Sequence, residues 1–320
     1  MPTDNFIVSY HNDYCVDRRL ISYIFIEYVY MKIAIISKFG HFECLFFLCE
    51  ILQEHKITLY IAHHTKGEEH VLCKMYSNIE VIKITEKLTE EIIPMYDEII
   101  KLSSNDDVLH HPKVISLLHV SWLRDISNRY ISLSPFVEGD NVSYIFPIYN
   151  PINVKTCYNK TITFVGYFEN KCVDEDLQYF IENSQYTFNF VVWGDVNYDN
   201  LTRYKNVAVY YNVQYDHLTE IINNSSYILL RNASYINYDR FTGMISLAMS
   251  FKKPMIVDKR TKEAYNIPGI VYEKRFSEVI DTLNNDVSPI VYEKLVDSIG
   301  EFNKGVIDKN KQIMCELCKK

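Results

Sequence analysis

The chain lacks a basic excess, a disulfide framework, an uninterrupted apolar run and the common catalytic signatures, and each absence excludes something. Its 33 Lys and Arg are outnumbered by 41 Asp and Glu, a formal charge of −8. That balance argues against a broad polyanion-binding surface and removes nucleic acid from the expected partners, while a local basic groove stays open. Eight cysteines are spread without the spacing of a disulfide framework. With no signal peptide, they read as reduced thiols of a cytosolic protein. Cys315 and Cys318 form a CxxC pair, but a structural zinc needs four ligands and no second pair lies nearby, so no metal is expected. Residues 20–37 are apolar except where Glu27 and Lys32 interrupt them. A charge near the centre of a spanning helix is costly, which rules out a membrane span there. There is no Walker loop, no HExxH and no GxSxG elbow, and no short-period repeat.

What remains is an ordinary globular composition, 48% hydrophobic and 23% charged over 320 residues. That length predicts roughly two domains of about 150 residues, each able to bury its own core. Tyr, Ile, Asn and Lys are abundant, which reads as AT-rich coding bias of a viral or protist gene. The expected location is the cytoplasm, or the host cytoplasm or virion if the source is viral.

Strand and helix signals alternate along the chain. Met31-Lys-Ile-Ala-Ile-Ile-Ser37 reads as the first strand of a Rossmann-type domain, with residues 1–30 an extension that begins at an upstream start. Strands are expected at Lys32–Ser37, Ile57–Ala62, Ile79–Ile84, Tyr96–Lys101, Val114–His119 and Tyr130–Leu133. After the first, Leu45, Leu48, Cys49 and Leu52 share one helix face. Short apolar runs separated by helices argue for a parallel sheet covered on both faces. Near Pro147–Pro151 the pattern restarts. Strands are expected at Thr161–Val165, Phe188–Trp193, Val207–Tyr211, Tyr227–Arg231 and Met255–Val257, with helices at Asp174–Glu182 and Asp216–Asn223. Residues 291–318 carry a long helical pattern in Leu295, Ile299, Phe302 and Val306, which Gly300 and Gly305 weaken. The expected class is α/β, two Rossmann-like domains facing a cleft. The first spans 31–150 and the second 151–290, with a terminal helix over 291–320.

Open α/β sheets bind ligands beyond the carboxyl ends of their strands, and the candidate residues sit at such ends. Gly40 and His41 follow the first strand and precede a helix, where a glycine permits close backbone approach and a helix start favours an anion. His119 ends the fifth strand, and a neutral imidazole there can exchange hydrogen bonds with a hydroxyl. Gly166 and Gly194 end two strands of the second array. Val213 and Gln214 follow a third. Asp174-Glu-Asp176 opens a helix, where acids belong in any case.

The most telling stretch is Asp239-Arg-Phe-Thr-Gly-Met-Ile-Ser-Leu-Ala-Met-Ser-Phe-Lys-Lys-Pro-Met-Ile-Val257. Met244, Leu247, Ala248 and Phe251 share one helix face, and Pro254 opens a strand. The layout resembles the donor-binding segment of retaining GT-B glycosyltransferases, family 4 in particular. Phe146-Pro-Ile-Tyr-Asn-Pro151 is similar to their interdomain linker, and Gly40-His-Phe-Glu-Cys-Leu45 to their Gly-His opening. The resemblance implies a nucleotide-sugar donor bound as substrate, no metal or cofactor, a glycan, protein or lipid acceptor, and a terminal helix crossing back to the first domain. It implies that Asp239 orients the transferred sugar, that His119 lies near that sugar, and that Lys171 with the Phe241-Thr242-Gly243 amides neutralises the departing diphosphate. It assigns Gly166, Gly194, Val213 and Gln214 to the donor side. Two positions depart from the family pattern: Tyr167 stands where an Arg is usual, and Leu247 replaces the acid that grips the ribose. Ser246 or Ser250 are the nearby groups that could substitute for it. Those losses keep open a catalytically inactive relative that serves binding or assembly, and an epimerase of the same fold is a third reading.

Overall fold

Short runs such as Lys32-Ile-Ala-Ile-Ile-Ser37 lack polar alternation, and a strand built from them must bury both faces. The computed structural model describes residues 30–37, 42–62, 67–84, 90–102, 111–118, 129–135, 143–166, 174–193, 199–230 and 242–318. Residues 31–320 cluster as one compact unit holding two sheets. The first contains β1 (Lys32–Ser37), β2 (Lys56–Ala62), β3 (Ile79–Ile84), β4 (Glu98–Leu102), β5 (Val114–Leu118), β6 (Tyr130–Ser132) and β7 (Ser143–Tyr144), ordered β3-β2-β1-β4-β5-β6-β7. The second contains β8 (Thr161–Gly166), β9 (Thr187–Val192), β10 (Val207–Tyr211), β11 (Tyr227–Leu229), β12 (Met255–Asp258) and β13 (Gly269–Tyr272), ordered β10-β9-β8-β11-β12-β13. Every strand pair is parallel. In both sheets the order runs outward from the first strand and then reverses, as in doubly wound folds. The two Rossmann-like halves are therefore present.

The helices are α1 (Phe42–Ile51), α2 (Glu68–Met75), α3 (Glu175–Asn183), α4 (Asp199–Thr202), α5 (Tyr215–Asn223), α6 (Gly243–Ser250), α7 (Lys259–Tyr265) and α8 (Pro289–Leu317). The strand expected at Tyr96–Lys101 begins two residues later and ends one later, at Glu98–Leu102, after a 3-10 turn over Glu90–Met95 that the Tyr96 N–H closes on the Ile93 carbonyl. Between the halves, the segment after β7 is held by α8. Asn310 of α8 donates to the Phe146 carbonyl at 2.6 Å, and its own amide oxygen accepts from the Phe146 N–H at 3.3 Å. Asn303 of α8 donates to the Met249 carbonyl of α6 at 2.7 Å, and Arg129, just before β6, donates to the Leu317 carbonyl at 2.5 Å. A helix of 29 residues spans about 43 Å, long enough to touch both halves.

Gly300 and Gly305 do not break α8. A Cβ at either position would meet nothing within 4 Å. Glycine inside a helix costs about 0.5–1 kcal/mol relative to alanine, mostly through the freedom of the unfolded chain. Gly300→Ala and Gly305→Ala should each raise stability by about that amount in urea denaturation. An unchanged or lowered midpoint would contradict a continuous α8 at these residues.

Candidate active site

In each sheet the strand order reverses at one place, between β1 and β4 in the first half and between β8 and β11 in the second. Such switch points leave a crevice beyond the strand ends where ligands sit. At the second, β8 ends on Gly166, whose φ of +151° is a conformation that favours glycine. Its Cα faces α6: a Cβ there would lie 3.5 Å from the Met244 Cε.

The residues of α6 from Met244 to Ser250 are all buried, as expected of a helix that is apolar all round. Thr242 caps it, its hydroxyl accepting from the Met244 N–H at 3.4 Å while its carbonyl accepts from Ile245 N–H at 3.1 Å. Thr242 is thus an N-cap, and the free amides it leaves at the helix start carry a partial positive charge. Against that start lies Glu43, from the first turn of α1 in the other half. A Cβ on Gly243 would stand 2.5 Å from the Glu43 Cδ and Oε1 and 3.0 Å from Oε2. Glu43 itself is 4% exposed. Glycine at 243 is what admits the carboxylate.

Gly243→Ala therefore forces the buried carboxylate or the two helices to move. Overpacking of this kind costs about 1–3 kcal/mol. The same change on a Glu43→Ala background should cost about 1 kcal/mol less, a coupling read from a double-mutant cycle in urea. Additive effects would place the two groups out of contact.

A third helix start joins them. Val213 is buried and Gln214 exposed just before α5, and the Gln214 Oε1 lies 3.5 Å from where a Gly67 Cβ would stand. Tyr215, the first residue of α5, meets Phe42 edge to face at 5.3 Å and stacks on Phe46 at 4.8 Å. On its other side Phe46 stacks on Tyr149 at 4.9 Å, and the hydroxyls of Tyr149 and Tyr215 are bonded at 2.9 Å. Burial pushes both phenols up, so both stay neutral. Further along α1, Glu50 accepts from the Tyr76 hydroxyl at 2.7 Å and from the Asn150 side chain at 2.8 Å. One face of α1 therefore carries the seam between the halves, and the starts of α1, α5 and α6 converge beside the β8 exit.

Of the residues singled out in the sequence, Gly166, Val213, Gln214, Thr242 and Gly243 fall in this neighbourhood. Gly40, His41, His119, Lys171, Gly194, Asp239 and Phe241 lie outside the described residues. Leu247, at the position of the missing acid, is 2% exposed and part of the core. The two hydroxyls that could replace that acid are spent elsewhere, which corrects the expectation. Ser246 donates to the Pro147 carbonyl, and Ser250 accepts from the Tyr149 N–H at 3.2 Å. Asp174 caps α3 through the Leu177 N–H at 2.9 Å, and Asp176 accepts from the Phe276 N–H at 3.1 Å and from the Ser277 hydroxyl. Among the described residues no three His, Cys, Asp or Glu converge as metal ligands, and no helix is long and apolar enough to cross a membrane. Glu43 and Tyr149 lie within the Gly40–Leu45 and Phe146–Pro151 segments that resemble the family, but nothing in the sequence singled out these side chains, and Phe46 carried no signal beyond an aromatic in apolar surroundings.

AviGT4, a glycosyltransferase involved in avilamycin A biosynthesis, superposes on 90% of this chain and 98% of its own, with a TM-score of 0.60 at 11% identity. The fold is GT-B. The glycotransferase of kitacinnamycin matches 90% of this chain and 99% of its own, at 12% identity and a TM-score of 0.51. The N-terminal domain of trehalose-6-phosphate phosphatase from Candida albicans matches over 90% and 98%, at 10% identity and 0.56. Identities this low establish shape rather than chemistry. No family model and no curated protein matches the sequence.

Proposed function

We propose that this GT-B chain is a glycosyltransferase that moves a sugar from a nucleotide-sugar to a glycan, protein or lipid acceptor, with retention and without a metal or cofactor. The observation that carries the reading is the meeting of Gly166, the start of α6 and the first turn of α1 at the switch point of the second sheet. A donor diphosphate suits that place, because helix-start amides and a close-approaching glycine favour an anion. Lys171 and the amides of Phe241, Thr242 and Gly243 neutralise charge on the departing diphosphate. Asp239 holds hydroxyls of the transferred sugar, and His119 meets the same sugar from the first half. Gly194, Val213 and Gln214 serve the donor side, and Gly40 and His41 serve the acceptor or a phosphate. Closure of the halves excludes water from the bond being broken.

The buried Leu247 leaves the ribose without its usual acid, so donor affinity rests on the phosphates and the sugar. A screen of nucleotide-sugars for hydrolysis and transfer tests the reading. Asp239→Ala should reduce turnover at least about a hundredfold, the scale of losing one preorganised polar contact to the reacting group. Absence of nucleotide-sugar binding by calorimetry would sink the enzyme and leave a binding or assembly module.

A further inference from the structure

Glu43 is the one buried carboxylate, among the described residues, that meets the start of α6, and nothing in the donor chemistry above uses it. It sits in the first turn of α1, where an acid is ordinary. Its side chain nonetheless reaches across to the other half and stops on Gly243. Around it lie the Cys44 thiol, 4.0 Å from Oε1, and the field of the Tyr149 and Tyr215 phenols. Burial and the Glu43 charge push the Cys44 thiol up, so it is neutral. The carboxylate thus fills, with the molecule's own charge, the position where helix polarity favours an anion.

We propose that Glu43 is an internal guard that holds the start of α6 in the ligand-free chain, and that a diphosphate enters by displacing it. This rests on reading the start of α6 as the diphosphate site. Two anions cannot share the place, so the diphosphate drives the carboxylate out and α1 with it. The first half then responds directly to an occupied donor site. Gly243 serves this exchange, because its missing Cβ leaves the space that carboxylate and phosphate compete for.

Calorimetric titration of the full chain with inorganic pyrophosphate tests it, in wild type, Glu43→Gln and Glu43→Asp. Glutamine keeps the shape and removes the charge. If the carboxylate holds the site in about nine molecules of ten, pyrophosphate should bind the glutamine variant about tenfold tighter than wild type. Glu43→Asp, which retracts the charge by one methylene, should fall between them, and it carries the test alone if the glutamine variant does not fold. Equal affinity across the variants would overturn the guard and leave the diphosphate site standing. No pyrophosphate binding to any of them would overturn both.

Discussion

Phe46→Ala should lower the unfolding free energy by about 3–5 kcal/mol, the cost of emptying a fully packed aromatic site. Phe46 is 0% exposed. Its ring lies between Tyr149, at 4.9 Å and 24°, and Tyr215, at 4.8 Å and 16°. Each stacked pair adds about 0.5–1.5 kcal/mol beyond the area it buries. Neither tyrosine can collapse into the gap easily, because their hydroxyls are tied to each other at 2.9 Å. The upper part of the range is therefore expected. The loss falls on the seam: Tyr149 belongs to the segment between the halves, Tyr215 opens α5, and Phe46 is one turn from Glu43 on α1. Urea denaturation measures the stability. A loss below about 1.5 kcal/mol, typical of a site that repacks, would mean that this stack does not hold the halves together.

Lys253→Met should cost about 3 kcal/mol, with two opposing effects deciding the figure. Lys253 is 0% exposed, and its ammonium donates to the carbonyls of Lys155 at 2.7 Å, Asn223 at 3.0 Å and Ser225 at 2.8 Å. Desolvation pushes it down from 10.5 to about 8. Removing the charge relieves that penalty, about 3 kcal/mol at 1.36 kcal/mol per pKa unit. It also strips three carbonyls of a charge-assisted bond, each worth about 1.5–3 kcal/mol. Three such bonds outweigh one desolvation, so the variant loses stability. The wild type carries a pH signature as well. Between pH about 8 and 10.5 the folded lysine holds fewer protons than the unfolded one, so this group's contribution to stability rises with pH across that window. The buried thiols and phenols, which act in the opposite direction, are common to both proteins and cancel in the difference between wild type and variant. The variant should lack the lysine's contribution. A variant as stable as wild type, or a wild-type-minus-variant stability difference that does not rise across that window, would contradict a buried ammonium at this position.

Much of the architecture was legible because the central strands are unbroken apolar runs. β1, an unbroken apolar run inside the first sheet, occurs at the residues where composition places it, and so do the edge strands β3 and β10. The restart of the pattern after Pro147–Pro151 marked the second sheet. Elements with little apolar content were not legible. α2 buries one apolar side chain, Leu72, and α7 buries Tyr265, so neither shows a periodic face. β7 is two residues long and β13 four, too short for a pattern of their own, although Asn266 and Pro268-Gly269 mark the turn before β13. The site was legible where it depends on local backbone chemistry: Gly166 at a strand exit and Thr242 at a helix start. It was not legible where it depends on residues far apart. Nothing near Glu43 points to Gly243, 200 positions away, and nothing near Ser246 or Ser250 shows that the segment at Pro147 and Tyr149 uses their hydroxyls. Leu247 marks the limit of reading a motif by position. α6 is buried on every side from Met244 to Ser250, so the position of the missing acid belongs to the core.

The claim that this fold uses the start of α6 to hold a donor diphosphate is tested most directly by a crystal structure of the full chain soaked with a nucleoside diphosphate. The phosphates should lie within hydrogen-bond distance of the first amides of α6, beside Gly166, with the Glu43 carboxylate moved away from Gly243. A diphosphate bound elsewhere, or Glu43 still seated on Gly243 beneath a bound nucleotide, would contradict it.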